Sequence, residues 1–377
     1  MRIVLAPDKF KGTFTAAQVC AHIASGVSQV RPDALIDQLP LADGGDGTLD
    51  LVLAARGGRL VEMQACGPLG ETVSTAYGVT PDGTGVIESA RICGLAMTPP
   101  GRRDVMRATS RGVGEVIAAA LDAGIRRFVL GLGGTATVDG GAGMARGLGY
   151  RLLDRDGSAL SGLPETLARI VRIDPAMAHQ DLRQAQVSAL CDVTIPLLGE
   201  RGAASLFGPQ KGASPAQVER LESGLAALSG AVDSWKQEAQ DLATRAGAGA
   251  GGGVGFGVGA FLGGTLQPGA AWLLSLTAFR DRIRDADLVV TGEGRLDFLT
   301  GTGKVVSVVL QECADLGIRA AVVTGSWDGS PIPSPSAGTI PIYSTSMLPG
   351  NLETADAGAL EALGRLVGQS ALGPERA

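Results

Sequence analysis

A glycine-rich stretch from Gly131 to Gly149 constrains the fold more than any other part of the sequence. It follows an apolar run, Arg127–Leu130, of the kind that forms a buried strand, and residues 142–148 can open a helical turn. A strand, a glycine loop and a helix start together present several backbone N–H groups at one point, which suits an anion such as phosphate. The stretch therefore predicts an anion-binding loop in an α/β protein.

Asp139, in the middle of this loop, has two interpretations. A carboxylate beside an anion site makes chemical sense if a divalent metal ion lies between them. The alternative is a structural role, in which Asp139 caps the helix that follows a glycine-rich turn. The loop alone leaves both interpretations open.

Charged residues and glycines also follow the first two apolar runs, Arg2–Ala6 and Ile36–Leu39. Ligands of open parallel sheets bind beyond the carboxyl ends of the strands, so these residues are expected to share one edge of a sheet. For the two aspartates after the second run, turn formation and capping stay open as the alternative. The candidates from these two runs are Asp8, Lys9, Lys11, Asp43 and Asp46.

Later strand-like runs end in the same way. Val187–Leu190 precedes an aspartate, and Asp287–Val290 precedes the sequence TGEGRLD. The segment GTGK that follows, ending in Lys304, is not a Walker A loop, because valine replaces the required Ser or Thr. The candidates from these segments are Asp192, Lys211, Glu293, Arg295, Asp297 and Lys304.

Lysine is scarce in this chain: of 32 basic residues, 27 are arginine. Four of the five lysines lie beside glycine or aspartate in loop-like sequence, namely Lys9, Lys11, Lys211 and Lys304. A compact ammonium group is common at phosphate-handling sites, so we interpret these four as functional. Chance placement of flexible surface lysines is the alternative. Lys236, in a helical and polar segment, is expected to be a solvated surface residue.

Composition excludes several classes of function. A net charge of -6 argues against nucleic acid as a partner. The two histidines make a Ser-His-Asp triad or a histidine metal cluster improbable. The five scattered cysteines indicate reduced thiols, and a strand beginning at Arg2 leaves no room for a signal peptide, so a cytoplasmic location is expected. Ala246–Phe279 carries no charge, but its many glycines predict a loop and not a membrane helix.

The pattern predicts two domains. Residues 60–95 alternate like antiparallel hairpins, which sets a boundary near Ala65, and parallel organisation returns near Asp287. We therefore expect a discontinuous domain of residues 1–64 and 272–377 and an inserted domain of residues 65–271. Helices are predicted at Ala16–Val30, capped by Thr15, and at Pro215–Arg245.

Five motifs in order resemble the bacterial glycerate kinase family of type I. They are APDKFKGT, LADGGDGT, LGLGGTATVDGGAGM, CDVTIPLLGERGAASLFGPQKGA and DLVVTGEGRLD with the later GK. The resemblance extends from Ile3 to Lys304. Two residues depart from the family pattern: Val138 stands where Asn is usual, and Leu299 where Gln is usual.

The resemblance implies ATP-dependent phosphorylation of D-glycerate to 2-phosphoglycerate with Mg²⁺. It implies a two-domain α/β fold, with a flavodoxin-like parallel-sheet domain from both chain ends, a second mixed α/β domain inserted, and an active site in the cleft between them. Three alternatives are weighed against it: a kinase of a related small hydroxy acid, a non-catalytic nucleotide or sugar-acid binding protein, and a dehydrogenase. The partners are glycerate and ATP, with neither nucleic acid nor membrane, and a homodimer stays open.

The resemblance to this family implies three catalytic candidates, Asp192, Lys9 and Lys211. Asp192 is interpreted as general base or metal anchor, the two lysines as binders of phosphate or carboxylate, and Asp139 as a second metal ligand. The other residues expected to bind substrate or phosphate are Asp8, Lys11, Asp43, Asp46, Gly133, Gly134, Thr135, Asp139, Gly140, Glu293, Arg295, Asp297 and Lys304.

Overall fold

The structure is a computed structural model that describes residues 1–236, 241–296, 304–331, 340–348 and 356–370. The candidate Asp297 and the departure at Leu299 lie outside the described residues. Among the described residues, no helix combines the length and the apolar character needed to cross a membrane.

The strands and helices alternate along much of the chain. The strands are β1 (Arg2–Leu5), β2 (Leu35–Gln38), β3 (Arg59–Cys66), β4 (Thr72–Val79), β5 (Thr84–Glu88), β6 (Arg127–Gly131), β7 (Arg151–Leu153), β8 (Arg172–Asp174), β9 (Gln186–Leu190), β10 (Thr265–Gln267), β11 (Leu288–Leu296), β12 (Ala320–Trp327) and β13 (Ile342–Ser344). The helices are α1 (Ala16–Val30), α2 (Thr48–Arg56), α3 (Ala90–Cys93), α4 (Arg111–Asp122), α5 (Ala142–Gly147), α6 (Pro164–Leu167), α7 (Ala203–Phe207), α8 (Pro215–Trp235), α9 (Ala250–Leu262), α10 (Gly269–Leu276), α11 (Phe279–Ile283), α12 (Val305–Leu316) and α13 (Ala357–Ser370).

The chain divides into two compact units. The terminal unit comprises residues 1–43 and 270–377, and the inserted unit comprises residues 44–269. The first boundary between the two units, after residue 43, therefore differs from the boundary predicted near Ala65. The physical reason is that α2 packs on the inserted sheet, where the side chains of Leu49 and Leu53 lie against Gly78 of β4.

The terminal unit contains a five-stranded parallel sheet in the order β2-β1-β11-β12-β13. This is the 2-1-3-4-5 order of flavodoxin-like folds, so the predicted fold class is confirmed. Alternate residues of β1 face opposite layers: Ile3 and Leu5 pack with Leu363 of α13, whereas Val4 packs with Val309 of α12. Because β1 is buried on both faces, its residues form the continuous apolar run seen in the sequence.

The inserted unit contains a mixed six-stranded sheet in the order β10-β9-β6-β5-β4-β3. The pairs β3–β4 and β4–β5 are antiparallel, which confirms the predicted hairpins. From β5 through β6 and β9 to β10 the pairing is parallel, so the ends of β6 and β9 meet at one edge. A separate antiparallel pair joins β7 and β8.

Two predictions about the middle of the chain are wrong. The helix expected at Pro215–Arg245 ends at Trp235. The segment Ala246–Phe279, predicted to be a loop, contains α9, β10 and α10. Residues 254–262 of α9 are buried on nearly every side, and a helix that is apolar all round is stable when it is packed inside a domain. Tertiary burial therefore overrides the low helix propensity of the glycines.

Candidate functional site

The glycine loop of the inserted unit has the predicted order of strand, loop and helix. Strand β6 ends at Gly131, and α5 begins at Ala142. A β-carbon at Gly133 would stand 2.7 Å from the α-carbon of Gly45, so the segment after residue 43 packs directly on this loop. The close approach needs glycine at position 133 because the neighbouring group is backbone, which cannot swing away.

Asp139 is fully buried, and its carboxylate accepts hydrogen bonds from four donors. Oδ2 accepts from the Ser110 amide at 2.7 Å, from the Ser110 hydroxyl at 2.8 Å and from the Gly143 amide at 3.2 Å; Oδ1 accepts from the Gly141 amide at 3.0 Å. Burial raises the pKa of this carboxyl group, whereas the hydrogen bonds from these donors lower it. The N-cap residue of α5 is Gly141, two positions after Asp139, but the Asp139 carboxylate accepts from the Gly141 and Gly143 amides at the start of the helix. The geometry therefore supports a structural role and does not fit a metal ligand, because the oxygens already hold the start of α5.

Lys211 follows α7 and is 4% exposed. Its Nζ donates to the carbonyl oxygen of Thr137 at 2.7 Å and to Oγ1 of Thr135 at 3.2 Å. The ammonium group also lies 5.6 Å from the centre of the Phe207 ring. The structure thus brings Lys211 and Thr135, both predicted from the sequence, into direct contact, with a buried positive charge fixed at the glycine loop.

The second glycine-rich segment, at the start of α9, packs backbone to backbone on the first. Gly252 has φ +73°, and a β-carbon there would come well inside 3.0 Å of the Thr137 carbonyl oxygen. The amide of Gly140 donates to the carbonyl oxygen of Gly252 at 3.1 Å. The charge-free run therefore supports the candidate loop from behind, and Gly140 serves this packing.

Glu88, at the end of β5, is a site residue that the sequence reasoning missed. It is 3% exposed, and its Oε2 accepts from the amides of Gly47 and Leu49, each at 3.1 Å. Burial raises its pKa, and the nearby Asp46 carboxylate adds to the rise. Glu88 thereby fixes the loop that carries Asp46. A carboxylate at the end of an apolar strand was the signal that could have identified it.

Asp192 is half-buried and lies two residues after the end of β9. The amide of Cys191 donates to the carbonyl oxygen of Gln267 at 3.0 Å, which fixes the backbone next to Asp192. Val138, which departs from the family pattern, is fully buried in the main core of this unit. Its side chain packs in that core.

In the terminal unit, three charged residues meet at the end of β1. Lys9 Nζ lies 3.0 Å from Asp43 Oδ1 and 3.5 Å from Asp8 Oδ1. The Asp8 amide donates to the carbonyl oxygen of Gly292 in β11 at 2.8 Å. Burial raises the pKa of Asp8 to about 7, with Lys9 acting against the rise and the Asp43 and Glu293 carboxylates adding to it.

The GEGRL sequence is part of β11, which extends beyond the predicted run Asp287–Val290 and pairs with β12 through Leu296. Glu293 Oε2 lies 3.7 Å from Nζ of Lys304, which precedes α12. Lys11 and Arg295 are exposed. The predicted residues of this unit therefore form one charged group around Asp8, Lys9, Asp43 and Glu293, with Lys304 paired to it and Lys11 and Arg295 on the surface.

Comparison with known proteins gives the family. The family model described as the glycerate kinase family matches residues 3–371. A glycerate kinase of Haemophilus influenzae is 40% identical over 306 residues, covering 81% of this chain and 80% of that protein. A glycerate 2-kinase of Escherichia coli is 38% identical, with the same coverage of 81% and 80%.

A solved structure from Salmonella typhimurium LT2, described as a candidate glycerate kinase 2, is similar over nearly the whole chain. The TM-score is 0.76 at 36% identity, with 98% of this chain and 97% of that chain covered. The resemblance inferred from the five motifs is confirmed. The chain belongs to the glycerate kinase family and is a phosphotransferase.

Proposed function

We propose that this chain transfers the γ-phosphoryl group of ATP to D-glycerate and forms 2-phosphoglycerate. The family supplies the reaction class, and the name of the Escherichia coli relative supports transfer to the 2-position. The observation that carries the proposal is the buried ammonium of Lys211, fixed by Thr135 and Thr137 at the glycine loop. The loop is rich in glycine, which lets its backbone approach an anion closely.

Phosphoryl transfer depends mostly on positioning and on neutralising negative charge. An ammonium group that is 4% exposed acts in a low-dielectric environment, where its attraction for an anion is stronger than in water. We propose that Lys211 raises the electrostatic potential at the loop, and that the backbone amides of Gly133 and Gly134 receive a phosphate or carboxylate oxygen.

In the terminal unit, we propose that Lys9 binds phosphate or the carboxylate of glycerate. The Asp43 carboxylate, 3.0 Å from Nζ, holds the lysine side chain in one orientation. Lys304 is held in the same way by Glu293 at 3.7 Å. Pre-positioned cations lose little side-chain entropy when the anion arrives. That the active site lies between the domains stays a prediction.

Magnesium fits this chain in part. Asp139 does not fit, because its carboxylate already holds the start of α5. The described ranges hold no group of three or more Asp, Glu, His or Cys side chains suited to a metal ion. Mg²⁺ commonly binds through one or two carboxylates together with nucleotide phosphates, so Asp192 is the residue proposed to hold it. When bound, the ion would neutralise charge on the transferred phosphoryl group.

An assay of ADP release with D-glycerate, L-glycerate, lactate and 3-hydroxypropionate tests the substrate. Phosphorus NMR of the product distinguishes 2-phosphoglycerate from 3-phosphoglycerate. We expect turnover of D-glycerate to the 2-phosphate and its loss when EDTA removes divalent ions. Turnover of another acid without turnover of glycerate would contradict the substrate and leave the reaction class intact.

Asp192→Asn tests the proposed catalytic carboxylate. Removing a general base or metal ligand is expected to lower kcat about 100-fold or more, since either role contributes on that scale. Glu200→Gln is the matched control, because Glu200 is exposed eight positions later in the same motif. Equal rates for the two variants would remove Asp192 from the catalytic set.

A further inference from the structure

We propose that Asp46 determines substrate specificity by accepting a hydrogen bond from a hydroxyl group of the acceptor acid. The inference deepens the proposed function and rests on it. It assigns to Asp46 a role that differs from the capping role of a turn aspartate. The argument depends on the surroundings of its Oδ1 atom.

Oδ1 of Asp46 is buried and has no hydrogen-bond partner among the described residues. Oγ1 of Thr48, two positions later and fully buried, also lacks a partner within the described part of the chain. Buried polar atoms are nearly always paired, because leaving them unpaired is costly. Two such atoms, one just before α2 and one in its first residue, indicate that a ligand supplies a missing partner.

The backbone amides on each side of Thr48 do have a partner, in contrast to the two orphaned side-chain atoms. The amides of Gly47 and Leu49 both donate to Glu88 Oε2 at 3.1 Å. Glu88 therefore holds the backbone on each side of Thr48 in place. We assign Glu88 as a positioning residue, because it contacts the loop amides and leaves the Asp46 oxygen available.

Asp46 is directed at the candidate anion loop. A β-carbon at Gly134 would come well inside 3.0 Å of Asp46 Oδ1, so any larger residue at position 134 would fill this space. Gly134 has φ +77°, a conformation that glycine adopts without strain. The start of the glycine loop is held by Ser89, whose hydroxyl donates to the Gly131 carbonyl oxygen at 2.7 Å.

The charge of the site selects the chemistry of the ligand group. Asp46 is a carboxylate, and a substrate carboxylate or phosphate placed against its Oδ1 atom would be repelled. A carboxylate oxygen accepts hydrogen bonds, so a neutral group of the acid that pairs with it must be a donor. The donors of a small hydroxy acid are its hydroxyl groups. A site built to pair a substrate hydroxyl rejects an analogue that lacks it.

The test compares binding of D-glycerate with binding of lactate, which lacks the 3-hydroxyl, and 3-hydroxypropionate, which lacks the 2-hydroxyl. Calorimetry with a non-hydrolysable ATP analogue gives Kd for each acid without turnover. We expect the wild-type chain to bind glycerate at least about 10-fold more tightly than one of the two analogues. Asp46→Leu should bring this ratio close to one.

Asp46→Asn keeps an acceptor oxygen and should retain part of the ratio. Asp156→Asn, at an exposed position of the same unit, should leave the ratio unchanged. Thermal melting of each variant shows whether it is folded. If the leucine variant does not fold, the asparagine variant still provides the test. An unchanged ratio in a folded Asp46 variant would overturn the role of Asp46.

The outcomes for the two proposals are separable. If the wild-type chain does not phosphorylate glycerate, the proposed function fails by the turnover assay alone. If it phosphorylates glycerate and the Asp46 variants keep the ratio of Kd values, the assignment of Asp46 fails alone. A wild-type ratio near one for both analogues would also overturn the hydroxyl contact.

Discussion

The carbonyl oxygen of Thr137 occupies the space that a β-carbon at Gly252 would need, and the same oxygen accepts a hydrogen bond from Lys211 at 2.7 Å. One backbone atom therefore joins the second glycine-rich segment to the buried ammonium group. The glycine at position 252 brings α9 close enough to support the loop. Packing behind the loop and charge inside it are thus coupled through Thr137.

Gly252→Ala is expected to destabilise the chain by about 3 kcal/mol or more, because the new β-carbon meets backbone at a positive φ. The shift of Thr137 should also lower activity in any folded fraction. Thermal melting and kcat/KM measure the two effects. Gly230→Ala is the matched control: Gly230 lies exposed in α8 with open space around it, and alanine there should stabilise by about 0.5–1 kcal/mol. Equal melting temperatures for the two variants would contradict the packing argument.

Asp139→Asn tests the structural role. An amide nitrogen would face either the Gly141 amide or the three donors around Oδ2, so at least one buried donor loses its acceptor. The expected loss is about 1–3 kcal/mol in the free energy of unfolding. Asp156→Asn, at an exposed position of the same unit, should change stability by less than about 0.5 kcal/mol. A variant with normal stability and a raised requirement for Mg²⁺ would instead favour metal binding at Asp139.

The sequence predicts the elements whose signals are local. Thr15 and Gln18 form a capping box, and α1 runs from Ala16 to Val30 as expected. The glycine loop after β6 is also predicted from local sequence, because the strand, the loop and the start of the helix follow one another along the chain. Local hydrogen bonds and local apolar periodicity decide these elements, so one window of sequence contains the information.

The contacts that define the candidate site are not local. Ser110 donates to Asp139 across 29 positions, and Glu88 accepts from Gly47 across 41. Nothing in the sequence around Asp139 distinguishes a carboxylate that caps a helix from one that binds a metal. The tertiary partner decides between the two interpretations, and the partner comes from another strand or helix.

Asp8 is expected to make stability depend on pH. Its pKa is raised from 3.8 to about 7, so between these values the folded chain holds a proton that the unfolded chain has released. Stability contributed by this group is therefore highest near pH 4 and falls as pH rises to about 7. Asp8→Asn removes this titration, while the amide oxygen can still accept from the Lys9 amide.

The melting temperature of Asp8→Asn relative to wild type should increase from pH 4 to pH 7 and then stay level. Asp33→Asn, an exposed position of the same unit, serves as the control and should show a constant difference. A constant difference for Asp8→Asn as well would mean that Asp8 is ionised throughout this range.

Lys9→Arg keeps the charge and changes the geometry of the donor. Lys9 Nζ lies within 3.0 Å of Asp43 and 3.5 Å of Asp8, and its side chain is 17% exposed. A planar guanidinium is wider than an ammonium group and cannot occupy the same position between two carboxylates. If Lys9 binds an anion in the transition state, kcat/KM should fall about 100-fold, which corresponds to about 3 kcal/mol.

Lys236 is unsuitable as the inert control for this exchange. It was expected to be a solvated surface residue, but its Nζ donates to the Ala260 carbonyl oxygen at 2.8 Å and lies 4.5 Å from the centre of the Trp235 ring. The reverse exchange Arg155→Lys, at an exposed position, is the better control. We expect it to leave kcat/KM unchanged while Lys9→Arg lowers it with a small change in melting temperature. Near-normal kinetics in a folded Lys9→Arg variant would show that the lysine only pairs with its two carboxylates and that its identity as an ammonium has no role in the reaction.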